Sequence, residues 1–169
     1  MGRGEYLEKD AEGAWLLLIK TLKTDHAAAK IRAALEFLPG GVGPENPKRT
    51  KKVLQGLINE GNSAAMISYA MKVLDLQKAE IGSDNSKKGI TLLERAALEE
   101  KDSQAAIYLS LLFNQGNVVP RDQKKAITFA QLAIDAGVIR AYGTMGQIFQ
   151  NQNDMESAVP VSYTHLRAH

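Results

Sequence analysis

The stretch AAIYLSLLFNQGNVVPRDQKKAITFAQLAIDAGVIRA, residues 105–141, decides the fold. Its first half sets Ala105, Leu109, Ser110 and Phe113 at i, i+4, i+5 and i+8, one face of an α-helix. Gly116 can end that helix in the left-handed conformation, and Asp122 can cap the next one. The second half places Ala126, Phe129, Ala130, Ala133 and Ile134 at i, i+3, i+4, i+7 and i+8, again one helical stripe. Ala141 then restarts the first pattern. The segment predicts a helix–turn–helix unit followed by the start of another.

Both patterns recur along the chain. The stripe of the second half appears at Ala14, Leu17, Leu18, Thr21, Leu22, at Thr50, Val53, Leu54, Leu57, Ile58, and at Gly89, Leu92, Leu93, Ala96, Ala97. The pattern of the first half appears at Ala29, Ala33, Ala34, Phe37, at Ala65, Tyr69, Ala70, Val73, and at Ala141, Met145, Gly146, Phe149. Successive copies start 36 to 40 residues apart, the spacing of a stacked helical repeat. Very small residues stand in one register at Ala34, Ala70, Ser110 and Gly146, as expected where a neighbouring helix passes closely. Gly4 and Asp10, and Gly40 and Asn46, repeat the spacing of Gly116 and Asp122, and Asn46-Pro47 is a strong helix start. Period-two alternation is not sustained, so the chain is expected to be all-α. Eight helices are predicted, near 10–24, 26–38, 46–60, 62–77, 85–100, 103–115, 122–136 and 139–151.

Bulk properties narrow the functional classes. The 169 residues suffice for a sizeable core, and 44% hydrophobic with 24% charged residues is an ordinary globular balance. Aromatic residues make up only 6%, so the core is built from Ala and Leu in closely packed helices. A net charge of +2 implies no extended nucleic-acid-binding surface. There is no cysteine, which excludes disulfides and thiolate metal sites. The longest strongly apolar run, Ala14 to Ile19, falls far short of the ~20 residues that span a bilayer. The N-terminus lacks the apolar segment of a signal peptide, although one upstream is compatible with the sequence. The compartment is not legible.

The run Ala105, Leu109, Ser110, Phe113, Gly116, Val119, Asp122, Lys125-Ala126, Ala133, Gly137 and Ala141 resembles a Sel-1-like repeat, a relative of the tetratricopeptide repeat with a longer internal loop. The resemblance covers about residues 4–158. It departs from the pattern at Thr50 and Gly89, which replace Ala, at Lys101, where Gly is expected, and at Leu76, which replaces the loop Gly. It implies a right-handed superhelical solenoid of antiparallel helix pairs, about four repeats, used as an adaptor in protein complexes. One subgroup of the family carries paired cysteines and is linked to β-lactams; this chain has none. Residues 1–158 are expected to form the repeat domain. Residues 159–169 fit no repeat register and resemble cloning read-through rather than native sequence, so the chain reads as a piece of a longer solenoid.

Few motifs suggest chemistry. His165 and His169 have helical metal-ligand spacing, but Leu166 stands where a zinc protease needs Glu. His26 precedes an Ala-rich helix and reads as a surface or capping residue. Gly40 to Gly43 lacks the Lys-Ser/Thr and the preceding strand of a phosphate loop. The basic run Lys48, Arg49, Lys51, Lys52 reads as the solvated start of a helix, with a phosphate-contacting patch as the alternative. Glu94, Glu99 and Glu100 read as solvated helix charge. No catalytic residue, metal or cofactor is assigned.

The second helix of each pair carries the candidate binding surface, because in tetratricopeptide-type solenoids these helices line the concave face. Ile31, Leu35, Ile67, Met71, Ile107 and Leu111 are apolar although they lie off the packing stripe. They form either an exposed apolar groove or additional core. Gln104, Asn114, Gln115, Arg140, Gln147, Gln150 and Asn151 give the C-terminal end of that face a polar character. The expected partner is a peptide or helix of another protein. A cell-wall or β-lactam-linked hydrolase and a weak nucleic-acid binder acting through 48–52 are the alternatives. The oligomeric state is not legible.

Overall fold

A computed structural model describes residues 13, 16–38, 45–76 and 80–150, with side chains for all of these but 75 and 76. The Gly40–Gly43 loop, Asn151, the 159–169 tail, His165 and His169 lie outside the described residues. Every regular element among those described is helical: α1 (16–21), α2 (Ala27–Leu35), α3 (Pro47–Asn59), α4 (Ser63–Leu76), α5 (Asp84–Leu98), α6 (Ser103–Gln115), α7 (Gln123–Asp135) and α8 (Arg140–Gln150). The order matches the sequence expectation, and from α3 onward each described boundary agrees within two residues. The chain forms two compact units, Met1–Tyr69 and Ala70–His169, and the boundary falls inside α4.

Local chemistry sets the helix ends. In unit 1, Asn46 caps α3 by accepting from the Arg49 N–H at 3.0 Å, with Pro47 in the first turn. In unit 2, Asp122 caps α7 by accepting from the Lys125 N–H at 3.0 Å. The two loops close alike, because the Asn46 N–H donates to the Phe37 carbonyl at 2.7 Å and the Asp122 N–H to the Phe113 carbonyl at 3.0 Å. Gly116 ends α6 with φ of 72°, and a Cβ there would stand 2.9 Å from the Arg121 Cβ. Both the backbone angle and the close approach require glycine. At Leu76, which replaces that glycine, α4 continues as helix.

The two stripes form the core. Leu54, Leu57 and Ile58 of α3, Leu93, Ala96 and Ala97 of α5, and Phe129, Ala130 and Ala133 of α7 are buried. So are Ala34, Ala70 and Ser110, with Ala65 and Ala105 earlier on α4 and α6 and Ala141 on α8. Ala29 is half-buried. Gly146 departs from the expectation of a crowded small-residue position: it is half-buried, and a Cβ there would meet no atom within 4 Å. The reason is that α8 is the last described helix, so no described helix follows to cross it. The α1 stripe departs likewise, with Leu17 66% exposed. A first helix of a pair packs on both its own partner and the preceding pair, and no preceding pair is among the described residues.

The departures from the repeat pattern have structural explanations. The Thr50 hydroxyl on α3 donates to the Ala34 carbonyl on α2 at 2.6 Å, within the buried interface of these helices. Ser110 on α6 donates to the Ala126 carbonyl on α7 at 2.8 Å, so the same helix junction is bridged in the opposite direction. A methyl at Gly89 would stand 2.8 Å from the Leu74 Cγ. Glycine therefore lets the large side chain of α4 press against α5. Lys101 keeps the left-handed backbone of the glycine it replaces, with φ of 55°.

Candidate functional site

The second-helix positions divide by burial. Ile31, Ile107 and Asn114 are packed into the interior. They therefore cannot line an open groove, and Ile31 and Ile107 follow the additional-core reading. The physical reason lies in the small neighbours: alanine and serine at 34 and 110 let adjacent helices approach closely enough to cover side chains off the main stripe. Leu35, Ile67, Met71, Leu111 and Gln104 are half-buried, and Gln115, Arg140, Gln147 and Gln150 are exposed. Within unit 2, α6 and α8 are in direct contact. This contact brings the helix bearing Gln104 and Leu111 beside the helix bearing Arg140 and Gln147. Asn114 Oδ1 and Gln123 Nε2 are both buried without a hydrogen-bond partner among the described residues.

Two further surface features, to which first helices contribute, were not singled out by the repeat templates. In unit 2, Leu98 is 59% and Leu132 37% exposed, and both line adjoining clefts of about 290 and 460 Å³ beside Asp135. Each leucine directly neighbours a buried stripe alanine, Ala97 or Ala133, and points off the packing face. The off-stripe test applied to the second helices would have found them. In unit 1, a groove of about 380 Å³ has an apolar base at Leu22, Val53 and Leu57, with Lys23, Lys30, Arg49 and Lys52 among its lining.

The basic run at 48–52 is thereby divided. Lys48, Lys51 and Lys52 are exposed, whereas the Arg49 guanidinium lies 4.9 Å from the centre of the Phe37 ring. Lys125 stands over Phe113 at the same 4.9 Å in unit 2. A cation over an aromatic face is therefore a recurrent element of the repeat, worth roughly 0.5–1 kcal/mol at a partly exposed position. His26 occupies the N-cap of α2 and its side chain makes no capping hydrogen bond. Glu99 pairs with Arg95 at 3.2 Å on the surface of α5. Among the described residues there is no group of His, Asp and Glu suited to a metal ion. None of their helices is long and apolar enough to cross a membrane.

The all-α repeat architecture is that of solved Sel1-like repeat structures. A Sel1 repeat protein from Oxalobacter formigenes superposes with a TM-score of 0.63 at 15% identity, over 93% of this chain and 64% of the other. A protective antigen of uropathogenic Escherichia coli with an SLR fold gives a TM-score of 0.60 at 16% identity, over 80% of this chain and 28% of the antigen. No family model and no curated protein matches the sequence. At these identities the likeness defines the class: the protein is an all-α solenoid with the Sel1-like repeat fold. The chain spans less than two thirds of the length of either structure.

Proposed function

We propose that the protein is a non-enzymatic interaction scaffold that holds a peptide or helix of a partner protein against its second helices. The observation carrying this reading is that Met71 and Leu111 of unit 2 are only half-buried although both are large and apolar. Leu35 and Ile67 have the same character in unit 1. Partly open apolar side chains on a rigid helical face suit recognition of a complementary apolar residue, and methionine adapts readily to different shapes. Gln104, Arg140 and Gln147 supply hydrogen-bond donors and acceptors to a peptide backbone at the other end of unit 2. A repeat fold favours such use, because each unit packs mainly on its neighbours and leaves a long face free.

The test is the double variant Met71→Glu/Leu111→Glu in the full chain. Proteins retained by wild-type chain on a resin are identified by mass spectrometry, then titrated individually against both forms. The expected result is loss of the specific partner with an unchanged helical circular dichroism spectrum. Loss of helicity would instead assign both side chains to the core and remove the proposed surface.

A further inference from the structure

The groove in unit 1 differs from the second-helix surface in its charge. Four cations line it, Lys23, Lys30, Arg49 and Lys52, against one carboxylate, Glu60. That imbalance is local, because the whole chain has a net charge of only +2. None of the four makes an ion pair with another described residue. Arg49 is held over the Phe37 ring, which limits its motion while its planar fork can still receive a carboxylate through two hydrogen bonds. Beneath the charges, Leu22 and Val53 are half-buried and Leu57 is buried, so the floor is apolar. Arg49, Lys52, Val53, Gly56 and Leu57 of α3, with its C-cap Glu60, follow one stripe, a length of roughly 16 Å at 1.5 Å per residue.

We propose that this groove docks an acidic segment of a partner protein, with Asp or Glu side chains over the four cations and one apolar side chain on Val53 and Leu57. About five extended residues span its length. Charge complementarity selects an anionic occupant, and the floor selects among anions. A nucleic-acid backbone offers no aliphatic group to cover Leu22 and Val53, and the lining has no aromatic ring on which a base would stack. A bilayer surface presents its charge over a broad plane, whereas these cations flank a recessed floor. Gly56 gives the groove its depth: it is exposed, and a Cβ built there meets no atom within 4 Å. The site shares no residue with the second-helix surface and does not depend on it.

The experiment uses the full chain and a panel of fluorescent peptides of about seven residues, each carrying several Asp or Glu around a single Leu or Phe. Lys23→Glu/Lys52→Glu reverses exposed charge, and Gly56→Leu fills the groove from a helical position with open space around it. The proposal expects salt-sensitive binding by wild type, weakened about tenfold or more by each variant and unchanged by Met71→Glu/Leu111→Glu. It is overturned if no panel member binds, or if either groove variant binds as wild type does. Equal binding of an all-acidic peptide lacking the apolar residue also overturns it. So does stronger, variant-sensitive binding of single-stranded RNA or phosphatidylserine vesicles, which assigns the groove to nucleic acid or membrane instead.

Discussion

Replacing Lys101 by glycine should stabilise the protein. Lys101 has φ of 55°, a left-handed backbone that crowds the Cβ of any L-residue. Gly61 and Gly137 occupy the equivalent place, four residues before the repeat alanine, with φ of 79° each. The conformation therefore belongs to the repeat, and lysine adopts it under strain of about 1–2 kcal/mol. Glycine removes that strain but loses more chain entropy on folding, about 0.5–1 kcal/mol. The Lys101 side chain is exposed, so little packing is lost. The expected net gain is about 0.5–1 kcal/mol, or roughly 1–4 °C in melting temperature for a domain of this size. Urea unfolding followed by far-UV circular dichroism measures it. Gly137→Ala is the mirror control: a Cβ there meets no atom within 4 Å, so its cost comes from φ alone. A Lys101→Gly variant less stable than wild type, alongside a Gly137→Ala variant of unchanged stability, would refute the reasoning.

Substitutions at three further positions test the helix ends and the junctions between helices. His26→Asp supplies the missing side-chain cap of α2 and should add about 0.5–1 kcal/mol; thermal melts of the two proteins compare directly. Ser110→Ala removes the buried bond to the Ala126 carbonyl and should cost about 1 kcal/mol. Ser110→Leu overpacks the same α6–α7 interface and should cost more, at about 1–3 kcal/mol, both read from urea midpoints. Gly89→Ala should destabilise in spite of the better helix propensity of alanine, because its methyl meets Leu74. In a Leu74→Ala background the same change should become stabilising, and a double-mutant cycle in which the two effects simply add would show that no such contact limits α5.

The sequence by itself determined the helical class, the order of the described helices and the chemistry of their ends. These are local properties: a stripe at i, i+3, i+4 and i+7 has one way to be buried, and Asn46-Pro47 or Gly116 with Asp122 fixes a boundary through neighbouring backbone groups alone. The proposed partner-binding face was only partly legible. Ile31 and Leu35, or Ile107 and Leu111, occupy equivalent positions and have the same aliphatic character, yet the first of each pair is packed and the second half-open. Only the separation of neighbouring helices makes that distinction, and it depends on alanine or serine contacts made across the junction. The cationic groove shows the same limit. Lys23, Lys30, Arg49 and Lys52 are scattered through three segments, and the packing that brings them around Leu57 is a non-local property that no single window of sequence contains.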